Sequence, residues 1–417
     1  MYDVCIVGGG ASGMACAITA AKRGLNCIIV EKEAKLGRKI YASGNGKCNL
    51  TNHNFDKGLE SYYNSSDKKY DLFLSKLFKC KHPDKEITDF LFSIGIVTYD
   101  ADSYVYPRSL QASSVMWAFT DMIKDLGIKI LCKTCVEEIK ERETGFDVKA
   151  AKTIISAKNV VLACGGAGYK SLGGSFNGYV LAGKLKIKTT SLRPSLCGLV
   201  TKKNINVLSG IRIKASATIS DETGKDIKGL QEEGEIQFTD YGISGIMIFN
   251  LSGIVGNLIS SGEKAFVNID FLPDFDDKKI TDLFEANNYR KPKAILNSLI
   301  NDKLAGYIID EVLSENKDKN PAEIKSKEFL QKIICKLHNF TLEIKELKDF
   351  DNAQVTAGGI ELDEINPHDM SIKKYDGLYA IGEMTDIDGI CGGYNLTYAF
   401  LSGIRAGEGI YDKIKSN

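Results

Sequence analysis

The stretch YDVCIVGGGASGMACAITAAKRGLNCIIVEKE, residues 2 to 33, constrains the fold more than any other part of the chain. The run up to Val7 suits a strand buried on both faces, and an alanine-rich helix from Ser12 to Arg23 follows before Gly24 stops it. Between them Gly8, Gly10 and Gly13 give the spacing G-x-G-x-x-G, with Ala11 and Ser12 inside the turn. Gly8 permits the tight turn, Gly10 lets backbone approach a pyrophosphate, and Gly13 lets the helix pack closely on the sheet. The helix start supplies free N–H groups and the positive end of a dipole for phosphate. Glu31 ends the second strand, where a carboxylate accepts hydrogen bonds from ribose hydroxyls, and Lys32 stands beside it. Strand, turn, helix, strand and acid together predict a dinucleotide site; this unit alone leaves open whether the ligand is FAD or NAD.

Composition narrows the class. At 417 residues the chain exceeds what one growing core holds, so two or three units are expected. A hydrophobic fraction of 43% and a charged fraction of 26% are those of a globular protein. Lysine plus arginine equals aspartate plus glutamate at 54 each, so no global field favours nucleic acid or an anionic membrane. No leader pattern opens the chain and no apolar run reaches about 18 residues, so a cytoplasmic location is expected. The 11 cysteines fit buried thiols in a reducing compartment. Cys132 and Cys135 form a lone CKTC on a segment that reads as a strand; with no second pair and four scattered histidines, no metal site is expected.

Three further segments favour FAD. LGRKIYASGNGKCNLTN, residues 36 to 52, is a polar, glycine-dotted loop where an NAD dehydrogenase would start its next helix. Such a loop can lie along an extended cofactor, with Arg38 and Lys39 offsetting phosphate charge and Gly44, Asn45, Gly46, Cys48 and Asn49 in close approach. AKNVVLACGGAG, residues 157 to 168, is a strand running into the glycine turn at Gly165 and Gly166. In DGLYAIGEMTDIDGICGGYNL, residues 376 to 396, a strand over 378–381 ends at Gly382 and Glu383, and Gly392 and Gly393 precede a helix opening at Asn395 and Leu396. That helix start is expected to face the N1 and O2 edge of the flavin ring. Val136, after the CKTC, completes the expected cofactor set.

The fingerprint, SGNGKCNLTN, YVYPRS, LACGGAGYKSLGGSFNGY, RPSLCGLV, FTDYGISG, VTAGGIEL and GLYAIGEMTDIDGICGGYNLTYA occur in an order that resembles a family of bacterial NAD(P)/FAD-dependent oxidoreductases. That family includes aminoacetone oxidase-type enzymes and 3-dehydro-bile acid Δ4,6-reductase, and the matching blocks span essentially the whole chain. Lys47 stands where the family usually has arginine, Cys164 where threonine or serine is common, and SGIMI replaces the more usual SGP. The first change keeps a cation but loses the guanidinium fork.

Between the cofactor segments, GIRIKASATIS alternates apolar and polar residues and DETG makes a turn, as expected of an antiparallel sheet or small barrel. Lysine-rich segments after residue 274 space their apolar positions by three or four, which predicts helices. The expected organisation is α/β: a discontinuous Rossmann-like FAD domain over 1–192 and 351–417, a β-rich insertion over 193–273 with a return strand over 340–350, and a helical cap over 274–339. The resemblance implies a substrate site where these parts meet.

Flavin would carry the redox step, so catalytic side chains can be few. Tyr106 and Arg108 in YVYPRS, and Tyr394 in the last glycine loop, are the candidates, with Tyr104, Tyr398, Tyr241 and Ser244 as neighbours; packing or solvated roles are the competing readings. Arg108 is expected to hold a carboxylate or carbonyl oxygen, and Tyr394 to donate a proton. His53, His82, His338 and His368 are too dispersed to suggest a triad. No second Rossmann fingerprint appears, so NADH or NADPH would act as a visiting donor. The expected enzyme is an FAD-dependent oxidoreductase acting on a small organic substrate, with no nucleic-acid partner. Reduction of an activated C=C bond, such as the enone of a 3-dehydro-bile acid, is the first expectation; an amine oxidase producing hydrogen peroxide and a non-catalytic FAD-binding protein, RNA-associated or regulatory, are the alternatives.

Overall fold

The computed structural model describes residues 1–55, 59, 61–63, 70–151, 153–314 and 327–416. They divide into two compact units, one of residues 1–193 with 354–417, the other of residues 194–353.

The first unit is built on strand β1 (Tyr2–Val7), helix α1 (Ala11–Ala21) and strand β2 (Cys27–Val30). β3 (Thr51–Asn52), β4 (Thr98–Ala101) and β5 (Tyr104–Pro107) form a small antiparallel sheet in the order β3-β5-β4. Helix α2 (Ala112–Asp125) leads to β6 (Lys129–Leu131), β7 (Val136–Arg142), β8 (Gly145–Ala150) and the long β9 (Thr153–Leu162); β10 (Leu378–Ala380) and helix α3 (Tyr394–Ser416) end the chain. In the main sheet β6, β2, β1 and β9 lie in parallel, with Val7 opposite Leu162 and Val30 on the other side. β9 is shared: its first half pairs antiparallel with β8 and its last three residues pair in parallel with β10. The apolar runs of β1, β2 and β10 are buried on both faces, as a parallel sheet covered by helices demands. α3 crosses α1 closely because Gly403 and Gly407 carry no side chain there; a Cβ on Gly403 would lie 2.3 Å from the Ser12 carbonyl oxygen.

The second unit holds a closed six-stranded barrel in the order Leu199–Thr201, Gly242–Ser244, Asp226–Phe238, Arg212–Ser220, Ala265–Asp270 and Phe340–Leu347. A helix over Ile246–Ser260 packs against five of these strands, Gly242–Ser244, Arg212–Ser220, Asp226–Phe238, Ala265–Asp270 and Phe340–Leu347. Sequence patterning read only strands here. The segment is apolar nearly all round, so it lacks the one-sided period that betrays a surface helix. The helices Asp277–Ala286, Pro292–Leu296, Asp302–Ser314 and Lys327–His338 share one apolar core with the barrel. Residues 315–326 of the expected helical stretch lie outside the described residues. Among the described residues no helix is long and apolar enough to cross a membrane.

Candidate functional site

The first glycine turn is shaped from the inside by contacts and left open on the outside. Gly8 sits at φ +113, and a Cβ there would lie 2.2 Å from the Ala163 carbonyl oxygen; on Gly13 it would lie 2.1 Å from the Gly8 oxygen. Gly10, by contrast, has extended backbone with φ −79 and ψ −172, and a Cβ there would meet nothing within 4 Å. The turn is therefore pressed against strand β9 through Gly8 and Gly13 while Gly10 faces open space at the start of α1. Ala11 and Ser12 form the first turn of α1, whose N–H groups lack intrahelical acceptors. Glu31 is buried, accepting from the Gly9 N–H at 2.7 Å and the Glu33 N–H at 2.8 Å. Its carboxylate is thus held at the turn by backbone donors.

Around this turn the cations are already engaged. Lys32 lies 3.9 Å from Glu33, and Arg38 donates to Glu33 and to the Ser171 carbonyl. Lys39 donates to Glu383 at 2.8 Å, across 344 residues of sequence. Glu383 also accepts from the Thr356 N–H at 2.8 Å, while the Thr356 hydroxyl accepts from the N–H groups of Ala167 and Gly168 at 2.8 and 3.0 Å. Gly166 has no room for a side chain beside this network, a Cβ falling 2.3 Å from Glu383 Oε1, and Gly165 sits at φ +70. Gly382 is held by the Ser402 hydroxyl, which accepts its N–H at 3.0 Å. Asn52 and Thr356 lie inside segments the sequence singles out, but their partners do not follow from spacing, since Thr356 meets Ala167 and Gly168 almost 190 residues away.

Val136 is buried and its carbonyl accepts from the Asn177 amide at 3.0 Å. The CKTC segment is a connection between β6 and β7, not a strand: Lys133 sits at φ +54 and the N–H groups of Lys133 and Thr134 donate to the carbonyls of Glu33 and Glu31.

The second glycine region forms around the loop from Gly44 to Asn49 and the start of α3. Gly44, Asn45, Gly46 and Cys48 all adopt positive φ. Cys48 is buried, which pushes its thiol up to about 11. Asn49 is buried with its side-chain oxygen lacking any hydrogen-bond partner among the described residues. Gly393 has φ +97, and a Cβ there would lie 2.7 Å from the Thr51 carbonyl oxygen, so β3 lies against this glycine. Asn52 of β3 donates to the Gly392 carbonyl at 2.9 Å. Asn395 clamps Gly389, accepting its N–H at 2.9 Å and donating to its carbonyl at 2.7 Å. Leu396 is half-buried in the first turn of α3.

The tyrosines separate into two groups. Tyr394 is buried and its hydroxyl donates to the Asn54 carbonyl at 3.0 Å; Tyr398 is buried against the Thr385 hydroxyl at 2.6 Å. Burial raises both phenols, and both hydroxyls are committed inside the protein. Tyr104 and Tyr106, two residues apart on β5, instead share the outer face of the small sheet, with ring centroids 6.5 Å apart. Each borders a glycine loop: Tyr106 comes within 3.5 Å of a Cβ built on Gly44, and Tyr104 within 3.4 Å of one on Gly392. Burial and the neighbouring Tyr104 raise the Tyr106 phenol, so it stays protonated. Arg108 is exposed and lies over the Tyr99 ring at 5.4 Å. In the second unit the Tyr241 ring packs on Gly198 and under Lys348, and Ser244 ends a barrel strand.

These residues fit FAD. The open face at Gly10, the helix start behind it and the orphaned Asn49 oxygen are a cradle, an anion-favouring end and an unmet polar group in one unit. A Rossmann sheet with this turn, a glycine-opened helix and a barrel insertion is the class of an FAD-dependent oxidoreductase. The chain matches the family described as HI0933-like protein Rossmann domain over residues 2–409, and it belongs to that family. It is 34% identical over 415 residues to the 3-dehydro-bile acid delta(4,6)-reductase of Clostridium scindens, covering 98% of both chains. Ribosomal RNA dihydrouridine synthases are more distant: 25% identity over 407 residues for that of Escherichia coli, covering 96% of both chains, and 27% over 405 residues for that of Haemophilus influenzae, covering 95% of both.

Proposed function

We propose that the chain reduces a carbon–carbon double bond conjugated to a carbonyl, with NADH or NADPH as the electron source and the enone of a 3-dehydro-bile acid as the representative substrate. The observation that carries this reading is end-to-end similarity to a relative whose name states that reaction. Bound FAD, held by Gly8 to Gly13, Glu31, the Gly44–Asn49 loop and the start of α3, supplies hydride-transfer chemistry. Saturating such a bond requires hydride at the carbon β to the carbonyl and a proton at the α carbon. Tyr106 is the donor we assign to the substrate carbonyl or α carbon: its phenol carries a transferable proton, and it borders the Gly44 loop on the outer face. Tyr394 and Tyr398 shape the helix start from within, since their hydroxyls are already bonded.

A second reading has its own support. The two dihydrouridine synthase relatives also extend over nearly the whole chain, and uridine presents a double bond conjugated to a carbonyl, so the same chemistry would serve a base in ribosomal RNA. Anaerobic mixing decides. Protein reduced with NADPH should regain its oxidised flavin absorbance with a 3-oxo-4,6-dienoyl steroid; an unchanged spectrum with the steroid and reoxidation by a ribosomal RNA transcript would replace the first reading by the second.

A further inference from the structure

The outer face of the β3-β5-β4 sheet is an aromatic strip with a cation at one end. In the register of this sheet Tyr99 stands opposite Tyr106, and the Arg108 N–H donates to the Val97 carbonyl, so Val97, Tyr99, Tyr104, Tyr106 and Arg108 share one face. On the opposite face Thr51, Val105 and Pro107 are buried. Tyr99 and Tyr104 remain 41% and 40% exposed and Val97 57%, a sizeable run of apolar surface for one small sheet. Tyr104 marks the end next to Gly392, and Arg108 the other end, four residues or about 13 Å away.

Arg108 differs in its pairing from several other cations of this unit. Arg23, Arg38, Lys39 and Arg405 all have carboxylate partners, whereas Arg108 has none among the described residues and rests on the Tyr99 ring. Stacking leaves the edge of a guanidinium free to take an oxyanion and reduces the rotamer freedom it must lose in doing so. We propose that this strip is the substrate's binding track: a long, flat, apolar molecule lies across Tyr104, Tyr106 and Tyr99 with its reacting end toward Gly392, and a carboxylate at its far end pairs with Arg108. This rests on the reductase reading for which end reacts. Arg108 is then a positioning residue that selects substrates by the distance from reacting bond to anion. A single cation suits one carboxylate better than a nucleic-acid backbone, which needs several phosphate contacts in a row.

The test compares a 3-oxo-4,6-dienoyl steroid bearing a side-chain carboxylate with its methyl ester, by equilibrium dialysis against the FAD-loaded protein. Arg108→Gln should weaken the acid about ten-fold and change the ester by less than about two-fold, with Arg108→Lys in between. Tyr99→Leu, which removes the stack and keeps the charge, should weaken both ligands. Equal losses for acid and ester, no loss of the acid, failure of either ligand to bind wild-type protein, or a loss confined to a ribosomal RNA fragment would each overturn the proposal. Flavin reoxidation is read separately: an acid that binds through Arg108 without reoxidising the reduced flavin sinks the reductase reading and leaves the anion anchor standing.

Discussion

Gly10 and Gly13 stand three residues apart in one motif and answer to different forces. A methyl group on Gly13 collides with the Gly8 carbonyl, whereas on Gly10 it projects into open space from backbone that any residue adopts. Gly13→Ala should therefore cost about 2 kcal/mol of unfolding free energy, and Gly10→Ala less than about 0.5 kcal/mol while lowering FAD retention. Chemical denaturation of the apoprotein and FAD content after gel filtration check the pair; equal destabilisation would contradict the open cradle. His53 provides a residue-scale pH dependence. Its ring meets Asp84 at 2.7 Å through Nδ1 and Asp100 at 3.1 Å through Nε2. Burial alone would lower the imidazole, but the hydrogen bonds and charges of the two aspartates outweigh it and raise the ring above its ordinary 6.5. A raised folded value means that this contribution is complete below pH 6.5 and is lost as pH rises through the folded value. The melting-temperature gap between wild type and His53→Gln should accordingly be widest near pH 6 and close toward pH 8, on the scale of the ordinary imidazole titration.

At the scale of elements, α3 organises the first unit. Its glycines admit α1, its first turn borders β3, and Arg405 within it is almost fully buried, donating to the carbonyls of Leu77 and Phe78 and pairing with Glu86 and Glu408. Arg405 ties the helices Tyr70–Phe78 and Pro83–Phe92 to α3, alongside the contact of the Phe90 and Phe400 rings. Arg405→Met should destabilise the protein by about 2–4 kcal/mol, because it strands two carbonyls and a carboxylate. Hydrogen exchange should quicken first in those two helices; uniform quickening would show that the arginine is not their tie. Much of this element was readable locally: the glycine pair and the apolar run announced a helix near residue 395. The physical reason for Gly393 was not, because the atom it avoids belongs to Thr51, more than 340 residues earlier.

For the molecule as a whole, the two units have separate cores, one around β1, β9 and α3 and one inside the barrel and under its helices. The second unit is one continuous stretch, residues 194–353. Expressed alone, that stretch should melt cooperatively and gain nothing from added FAD, whereas FAD should raise the melting temperature of the full chain by mass action. A fragment without a cooperative transition would show that its barrel depends on the rest of the chain. The barrel's alternating strands were legible because their apolar faces repeat every two residues; the helix Ile246–Ser260 was not, because apolar residues nearly all round it erase its period.

Local chemistry in the sequence determined the Rossmann turn, the glycine-rich loop, the late glycine pair and the barrel strands, since spacing, turn residues and periodicity act over a few residues. Only the tertiary structure decided how the charges and phenols are used. Lys39 meets Glu383, Thr356 meets Ala167 and Gly168, Tyr394 and Tyr398 turn their hydroxyls inward, and Arg108 lies on Tyr99. Such pairings depend on strand order and helix crossing, so a lone polar residue in the sequence holds no record of the partner that the fold brings to it.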